Sequence, residues 1–344
     1  MHAAGVKVSY DRSPDFYRLL RLQGQKYCSA LIRSQDDEPL TLFSFSFQKK
    51  WVGGELVDCG YAGDFRTAQS LLSARAWRKH FANIVRSVKD DPTYNRPKYI
   101  LTAIMKDNVA AIRNIAAGSV KFGVRYDHLD DLEMVNVIGR LFKTKSKIKT
   151  VRATQTDEIE LKSFIARSEA AKMFGAAYSE NDKSGDEWNF KTSNWPNFSI
   201  EQFLIQRNPA AEIIACTLPF NPGFAKRMRL LEIPFFLKKI SDLGSLLKIK
   251  TPKVGEAFET VYLTHLEINE SKISFKESVS SFLNFLFDEN PSDAQYSFAA
   301  APGKFGGFTP FIKFSTMISL FCISLPEEPV VTKNAALSFE MGLV

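Results

Sequence analysis

The sequence predicts an α+β protein of two domains, residues 1–148 and 149–344, each a mixed, mostly antiparallel sheet flanked by helices. Three observations lead there. With 344 residues, 45% hydrophobic and 24% charged, the chain can bury a core of ordinary size, and its length favours two domains over one. Runs that alternate apolar and polar residues are interleaved with runs of helical spacing. The order strand, break, helix, strand over residues 57–104 then returns over 257–301. The repeat is of order and not of letters, so an α+β domain of another kind stays open for the second half.

"VKVSYDRSPDFYRLLRLQG" (6–24) opens with a short strand. Ser13 as cap, Pro14 at the first helical position and Asp15 in the first turn predict a helix directly after it. "KYCSALIRSQDDEPLTLFSFSFQKKWVGGELVDCGYAGDFR" (26–66) alternates in three runs broken by "SQDDEP" and "VGGE", an antiparallel meander. The next segment places Leu71, Leu72, Ala76, Phe81, Ile84, Val85 and Val88 at helical spacing, so this helix packs on the meander. "PKYILTAIMKDNVAAIRNIAAG" (97–118) reads as a buried strand, a polar break and a small-residue helix stopped by Gly118. Strand-like runs in "FGVRYDHLDDLEMVNVIG" (122–139) finish the first domain.

In the second half, "TDEIELKSFIARSEAAKMFGAAYS" is helical and "ENDKSGDEWNFKTSNWPN" reads as a polar loop holding two tryptophans. "AAEIIACTLPF" is a strand, "RMRLLEIPFFLKKISDLGSLLKI" a strand and helix, and "AFETVYLTHLEI" a long strand. "SFKESVSSFLNFLFDE" is an amphipathic helix, and "QYSFAAAP", "MISLFCISL" and "ALSFEMGLV" read as strands.

Several function classes drop out on composition. Cys28, Cys59, Cys216 and Cys322 are far apart without CxxC spacing and read as reduced core residues. His2, His80, His128 and His265 are likewise scattered, and no metal site is expected. The longest apolar stretch, "FTPFIKFSTMISLFCISL", carries Pro310 and Lys313 and alternates like a strand, so no membrane span is expected. The N-terminus lacks an apolar core of signal-peptide length, which points to the cytoplasm. The net charge of +7 is uneven: residues 1–150 hold 25 Lys and Arg against 15 Asp and Glu, or +10, and the remainder 20 against 23, or −3. The first half is the one prepared for an anion. The densest basic run, "KTKSKIKTVR" (143–152), lacks interleaved aromatics and reads as a solvated strand edge or linker, not a nucleic-acid patch.

Three pieces in order, "SPDFYRLLRLQG", "WVGGELVDCGYAGDFRT" with its Gly-x-x-Arg word, and "YILTAIMKDNVAAIRNIAAG", resemble the GNAT superfamily of acyl-CoA-dependent N-acetyltransferases. The resemblance covers roughly residues 6–142, and the repeated order suggests a second, more divergent GNAT-like domain, giving a tandem protein. It implies acetyl-CoA or another acyl-CoA as donor and a small-molecule or peptide amine as acceptor.

A thioester cofactor needs a cradle of backbone N–H groups at a helix N-terminus for its pyrophosphate, a strand edge for its pantetheine amides and a gap exposing the acyl carbon. Phe65, Arg66 and Thr67 ending a strand, with a helix from Gln69, supply the first two, and divergence of strands after Thr67 and Thr102 the third. In the superfamily the phosphate loop reads Arg/Gln-x-x-Gly-x-Gly/Ala; here Gln69 and Ala74 fit, but Leu72 stands where the first glycine is expected, and a Cβ there crowds a diphosphate. Ser70, Ser73 and Arg75 are further candidate phosphate contacts, with Arg66 and Arg78 in reach of anionic groups. Asn108 reads as a helix N-cap; the resemblance adds that it lies beside the pantetheine arm, with Ala111 keeping the helix surface low. The family's usual acid, a tyrosine on this helix, is absent, since Ile115 holds the position. Tyr126 is the candidate acid, with Tyr61 and Tyr99 as alternatives, and Asp64 the candidate base, with Asp58 as alternative. The corresponding turn of the second half, 266–278, has no glycine, and no cofactor is expected there. Two readings stand: an acyltransferase, and a GNAT-fold binding or scaffold protein that has lost transfer.

Overall fold

The computed structural model describes residues 2–3, 6–68, 70–113, 122–143, 146–179, 186–232, 254–258, 260–290, 295–307 and 309–340. In chain order the strands are β1 (His2–Ala3), β2 (Val6–Asp11), β3 (Lys26–Arg33), β4 (Pro39–Val52), β5 (Glu55–Thr67), β6 (Tyr99–Met105), β7 (Arg125–Arg140) and β8 (Thr150–Arg152). They continue with β9 (Gly175–Ala176), β10 (Leu204–Arg207), β11 (Ile213–Phe220), β12 (Arg227–Glu232), β13 (Ala257–Phe258), β14 (Thr260–Ile268), β15 (Gln295–Ala300) and β16 (Phe311–Ser324). The helices are α1 (Arg18–Gln23), α2 (Leu71–Asp90), α3 (Val109–Ala111), α4 (Glu158–Ala170), α5 (Glu187–Asn194) and α6 (Phe275–Glu289).

The expected meander is β3, β4 and β5, with Phe45 opposite both Cys28 and Ala62. Its core face carries Phe43, Phe45 and Phe47, and α2 lays Phe81, Val85 and Val88 on them, the apolar stripe that its sequence spacing prepared. In the other half, α6 packs Val279, Phe282, Leu283 and Leu286 against Tyr296 and Phe298 of β15 in the same way.

Among the described residues, twelve strands join one sheet in the order β3-β4-β5-β6-β16-β7-β15-β14-β11-β10-β8, with β9 on β4. Read from its centre outwards this order is palindromic in kind. The parallel pair β5·β6 on one side answers the parallel pair β14·β15 on the other. Between them, β16 and β7 run antiparallel over the whole length from Phe311 opposite Arg140 to Ser324 opposite Arg125. Each half thus lends a long strand to the other: β16, the last strand of the chain, lies between two strands of the first half, and β7 pairs with β15 of the second. The expected division at 148/149 is crossed by this exchange.

The structure differs from expectation at four further places. The first helix starts at Arg18, not at Pro14, because Asp11 and Asp15 spend their carboxylates on the Ser13 and Tyr17 N–H groups as local turns. β2 leaves the main sheet and pairs with β12 in a small sheet β1-β2-β12-β13. The expected polar loop contains α5, whose Trp188 is buried together with Trp195. Residues 325–340 form no strand beyond an isolated bridge at Leu337. The expected helix after β12 and the end of the helix at Gly118 lie outside the described residues, as does Ile115.

The basic run 143–152 ends in β8, with Lys143 paired to Asp288 and Arg152 to Glu289 of α6. All four cysteines are free thiols, three of them buried. Among the described residues no helix is long and apolar enough to cross a membrane.

Candidate active site

β5 and β6 pair only from Cys59–Tyr61 to Tyr99–Leu101 and then part. The gap opens one strand residue ahead of Thr102, as expected on β6, but well before Thr67 on β5. Its cause on the β5 side is a bulge: Gly63 and Arg66 pair with Ser44 and Leu42, so Asp64 and Phe65 together oppose Phe43 alone. Asp64 takes a φ of +58° there, a left-handed conformation rare outside glycine. The bulge turns the strand away from its neighbour and removes backbone groups of Asp64 and Phe65 from the ladder.

The parting makes a cleft of about 550 Å³. Asp64, Phe65 and Arg66 form one wall and Thr102 to Met105 the other, with Asn108 and Ala111 at the mouth and Tyr126 behind. The far side is apolar and comes from the exchange and from the second half: Met134 of β7, Ile318 of β16, Met228 of β12 and Tyr262 of β14.

Six sequence candidates therefore meet in one cleft: Asp64, Phe65, Arg66, Asn108, Ala111 and Tyr126. Asp64 is held by Arg12, whose Nη1 donates to Oδ2 at 2.8 Å and whose Nη2 donates to Oδ1. Both side chains are under a tenth exposed. Asn108 caps α3, its Oδ1 accepting from the Ala111 N–H at 3.1 Å. Tyr126 is buried, and its hydroxyl has no hydrogen-bond partner among the described residues; burial keeps its proton on, raising its pKa far above the ordinary range. The Thr102 hydroxyl, deeper still, is equally unpartnered among them. Two buried hydroxyls on one cleft, without partners among the described residues, each carry a desolvation cost.

Thr67, Ser70, Ser73, Ala74 and Arg75 stand apart from the cleft lining, at the end of β5 and the start of α2. Ser70 caps α2, its hydroxyl accepting from the Ser73 N–H at 3.1 Å and sharing a 2.8 Å bond with the Ser73 hydroxyl. Ser73 is fully buried. These two hydroxyls close on each other. Backbone N–H groups of Leu71 and Leu72, at the first helical positions, have no acceptor within the helix. The Leu72 side chain is half exposed. Gln69 lies outside the described residues.

Of the alternatives, Tyr61 lines the cleft too and is tied to the Ala103 backbone. Asp58 accepts from Asn95 away from it. Nothing in the sequence singled out Arg12, Gln23 or Lys226, which the fold delivers from distant segments. Neither Lys226 in "FNPGFAKRMR" nor Arg12 in "DRSPDF" carries a spacing signal; only the pairing of β2 with β12 brings Arg12 and Lys226 together.

The second half repeats the bulge and fills it. Cys216 and Leu218 pair with Glu267 and Thr264, so His265 and Leu266 oppose Thr217, and His265 takes φ +50°. Here the bulge residue is walled in by Trp195, Phe198 and Phe203. Its Nε2 meets the Tyr178 hydroxyl and, at 3.0 Å, Lys191 Nζ, which also donates to Glu340 Oε2 at 2.6 Å. Burial, reinforced by the Lys191 charge, drives the His265 pKa down to about 3.

No protein-family model matches the chain, and no curated protein matches its sequence. Solved structures do. The Saccharomyces cerevisiae N-myristoyltransferase, solved with bound myristoyl-CoA and inhibitors, superposes with a TM-score of 0.56 at 8% identity over 97% of this chain and 77% of that one. A GCN5-related N-acetyltransferase from Sphaerobacter thermophilus gives 0.51 at 8% identity over 88% and 82%. The glucosamine N-acetyltransferase region of a fungal multi-domain beta-N-acetylglucosaminidase gives 0.55 at 10% over 94% and 38%. The chain has the GNAT fold, in two halves.

Proposed function

We propose that this protein is an N-acyltransferase that moves an acyl group, acetyl or another short one, from coenzyme A to the amine of a small molecule or peptide. The observation that carries the reading is the cleft at the parting of β5 and β6, with its bulge and its two buried hydroxyls that have no partner among the described residues. The likeness in fold to acyltransferases supports it.

In this reading the pantetheine arm lies between the separated strands, against Asn108 and Ala111, and the diphosphate meets the Leu71 and Leu72 amides with Arg66 and Arg75 nearby. The amine nitrogen attacks the thioester carbonyl carbon, and backbone N–H groups freed by the bulge stabilise the oxyanion. Collapse breaks the carbon–sulfur bond, and the Tyr126 hydroxyl, held protonated by burial, donates a hydrogen bond to the departing thiolate. The acceptor enters from the apolar side, where Met228 and Tyr262 of the second half complete the wall.

A binding protein without transfer activity is the second reading, favoured by the closed Ser70–Ser73 pair and by Leu72 in place of glycine. Thermal shift with acetyl-CoA tests both. A ligand at 100 times its Kd adds about 2.7 kcal/mol of stability, so a clear rise in Tm at millimolar ligand is expected, reduced in Arg66→Ala. No rise sinks the transferase. A rise without thiol release across a panel of amines favours the binding protein.

A further inference from the structure

The cleft holds a buried lysine. Lys226 sits just ahead of β12, its backbone N–H donating to the Pro222 carbonyl at 2.9 Å, and its residue is 8% exposed. It shares the cleft wall with Arg12 and Asp64. The carboxylate of Asp64 is engaged at both oxygens by one guanidinium, so the pair is neutral as it stands. A proton on Lys226 adds a second positive charge beside Arg12 in a place poor in water, which the protein resists. Burial first, then Arg12, outweigh the attraction of Asp64 and bring the Lys226 pKa down to about 7.

We propose that Lys226 Nζ is the proton acceptor for the acceptor amine, and that Asp64 serves it indirectly by fixing Arg12. This rests on the acyltransferase reading above. As the amine nitrogen bonds to the acyl carbon it becomes far more acidic than a free ammonium, and its proton passes to the neutral Lys226. The carbon–sulfur bond then breaks, the electron pair leaves on sulfur beside the Tyr126 hydroxyl, and Lys226 passes the proton it took from the amine to the thiolate, which restores the neutral lysine.

Two measurements test it. Competitive labelling with acetic anhydride from pH 5 to 10, read by mass spectrometry, should show Lys226 reacting half-maximally near pH 7 and shielded by coenzyme A. A half-point above pH 9, or no labelling at any pH, overturns the proposal without any assay of transfer. In the enzyme, Lys226→Met should bind coenzyme A within about threefold of wild type by calorimetry while transfer falls by about 10²- to 10⁴-fold. The acid limb of the pH–rate profile near 7 should disappear with it. Full activity in Lys226→Met overturns the proposal; failure of the wild type to bind coenzyme A instead overturns the acyltransferase reading, and the labelling result still decides the state of Lys226.

Discussion

Lys226 also has a signature in stability. Its folded pKa, about 7, lies below the ordinary 10.5, so between those values the unfolded chain binds more protons and stability attributable to this residue rises with pH. Below 7 both states are protonated and the penalty is complete. Lys226→Met should therefore raise Tm at pH 6–7, and its advantage over wild type should shrink towards pH 10, as calorimetric scans at both ends will show. Tyr126→Phe keeps the ring against Phe321, at 6.2 Å, and removes a hydroxyl with no partner among the described residues. Unchanged or slightly higher stability with a transfer rate reduced by about 10²-fold or more is the expected pair of results. At the His265 bulge the sign is the same, in a lower pH window. His265 at about 3 and Glu340 at about 2 both titrate below their ordinary values, the first through burial and Lys191, the second because Lys191 and His265 outweigh burial. Both contributions are present near neutrality and fade with acid, so Tm should fall as pH drops from about 6.5 towards 3. Lys191→Met leaves Glu340 without its 2.6 Å partner and should cost about 3–5 kcal/mol in urea titrations at pH 7.

Elements were the most legible scale. The meander alternates because one face meets α2 and the other does not, so β3, β4 and β5 could be read from period alone, as could α2 and α6. What misled was local chemistry with two solutions: Ser13-Pro14-Asp15 has the letters of a helix start, yet its aspartates satisfy turns. Trp188 and Trp195 sit in a polar run, and only the packing of α5 on the second core explains their burial. At α2, the serines that looked like phosphate donors are a cap. Ser70→Ala should cost about 1 kcal/mol in thermal or denaturant unfolding without weakening coenzyme A binding by more than about twofold. A tenfold loss of binding would mean that the hydroxyl reaches the ligand after all.

At the scale of the molecule, the sequence carried the two-fold repetition but not the exchange. The run "FIKFSTMISLFCIS" announces a strand and says nothing of its partners, and its partners Tyr99–Met105 and Arg125–Arg140 lie about 170 to 220 residues away. The same distance hid the cleft: Arg12, Asp64, Tyr126 and Lys226 become neighbours only once β2 has paired with β12 and the long strands have crossed. Residues 1–148 expressed alone lack β16, leaving β6 and β7 with bare edges, and should be insoluble or lack a cooperative thermal transition. The full chain should unfold in one transition by calorimetry, since neither half owns a complete sheet.

The late position of β16 also fixes when the cleft can exist during synthesis. Between the end of β7 at Arg140 and the end of β16 at Ser324 the ribosome adds 184 residues, about 10–40 s at ordinary elongation rates. Throughout that interval the nascent first half carries two unpaired strand edges around an absent neighbour. Newly made protein therefore has no closed cleft until β16 is out, and a ribosome that stops earlier releases a chain with an open sheet for chaperones or proteases to find.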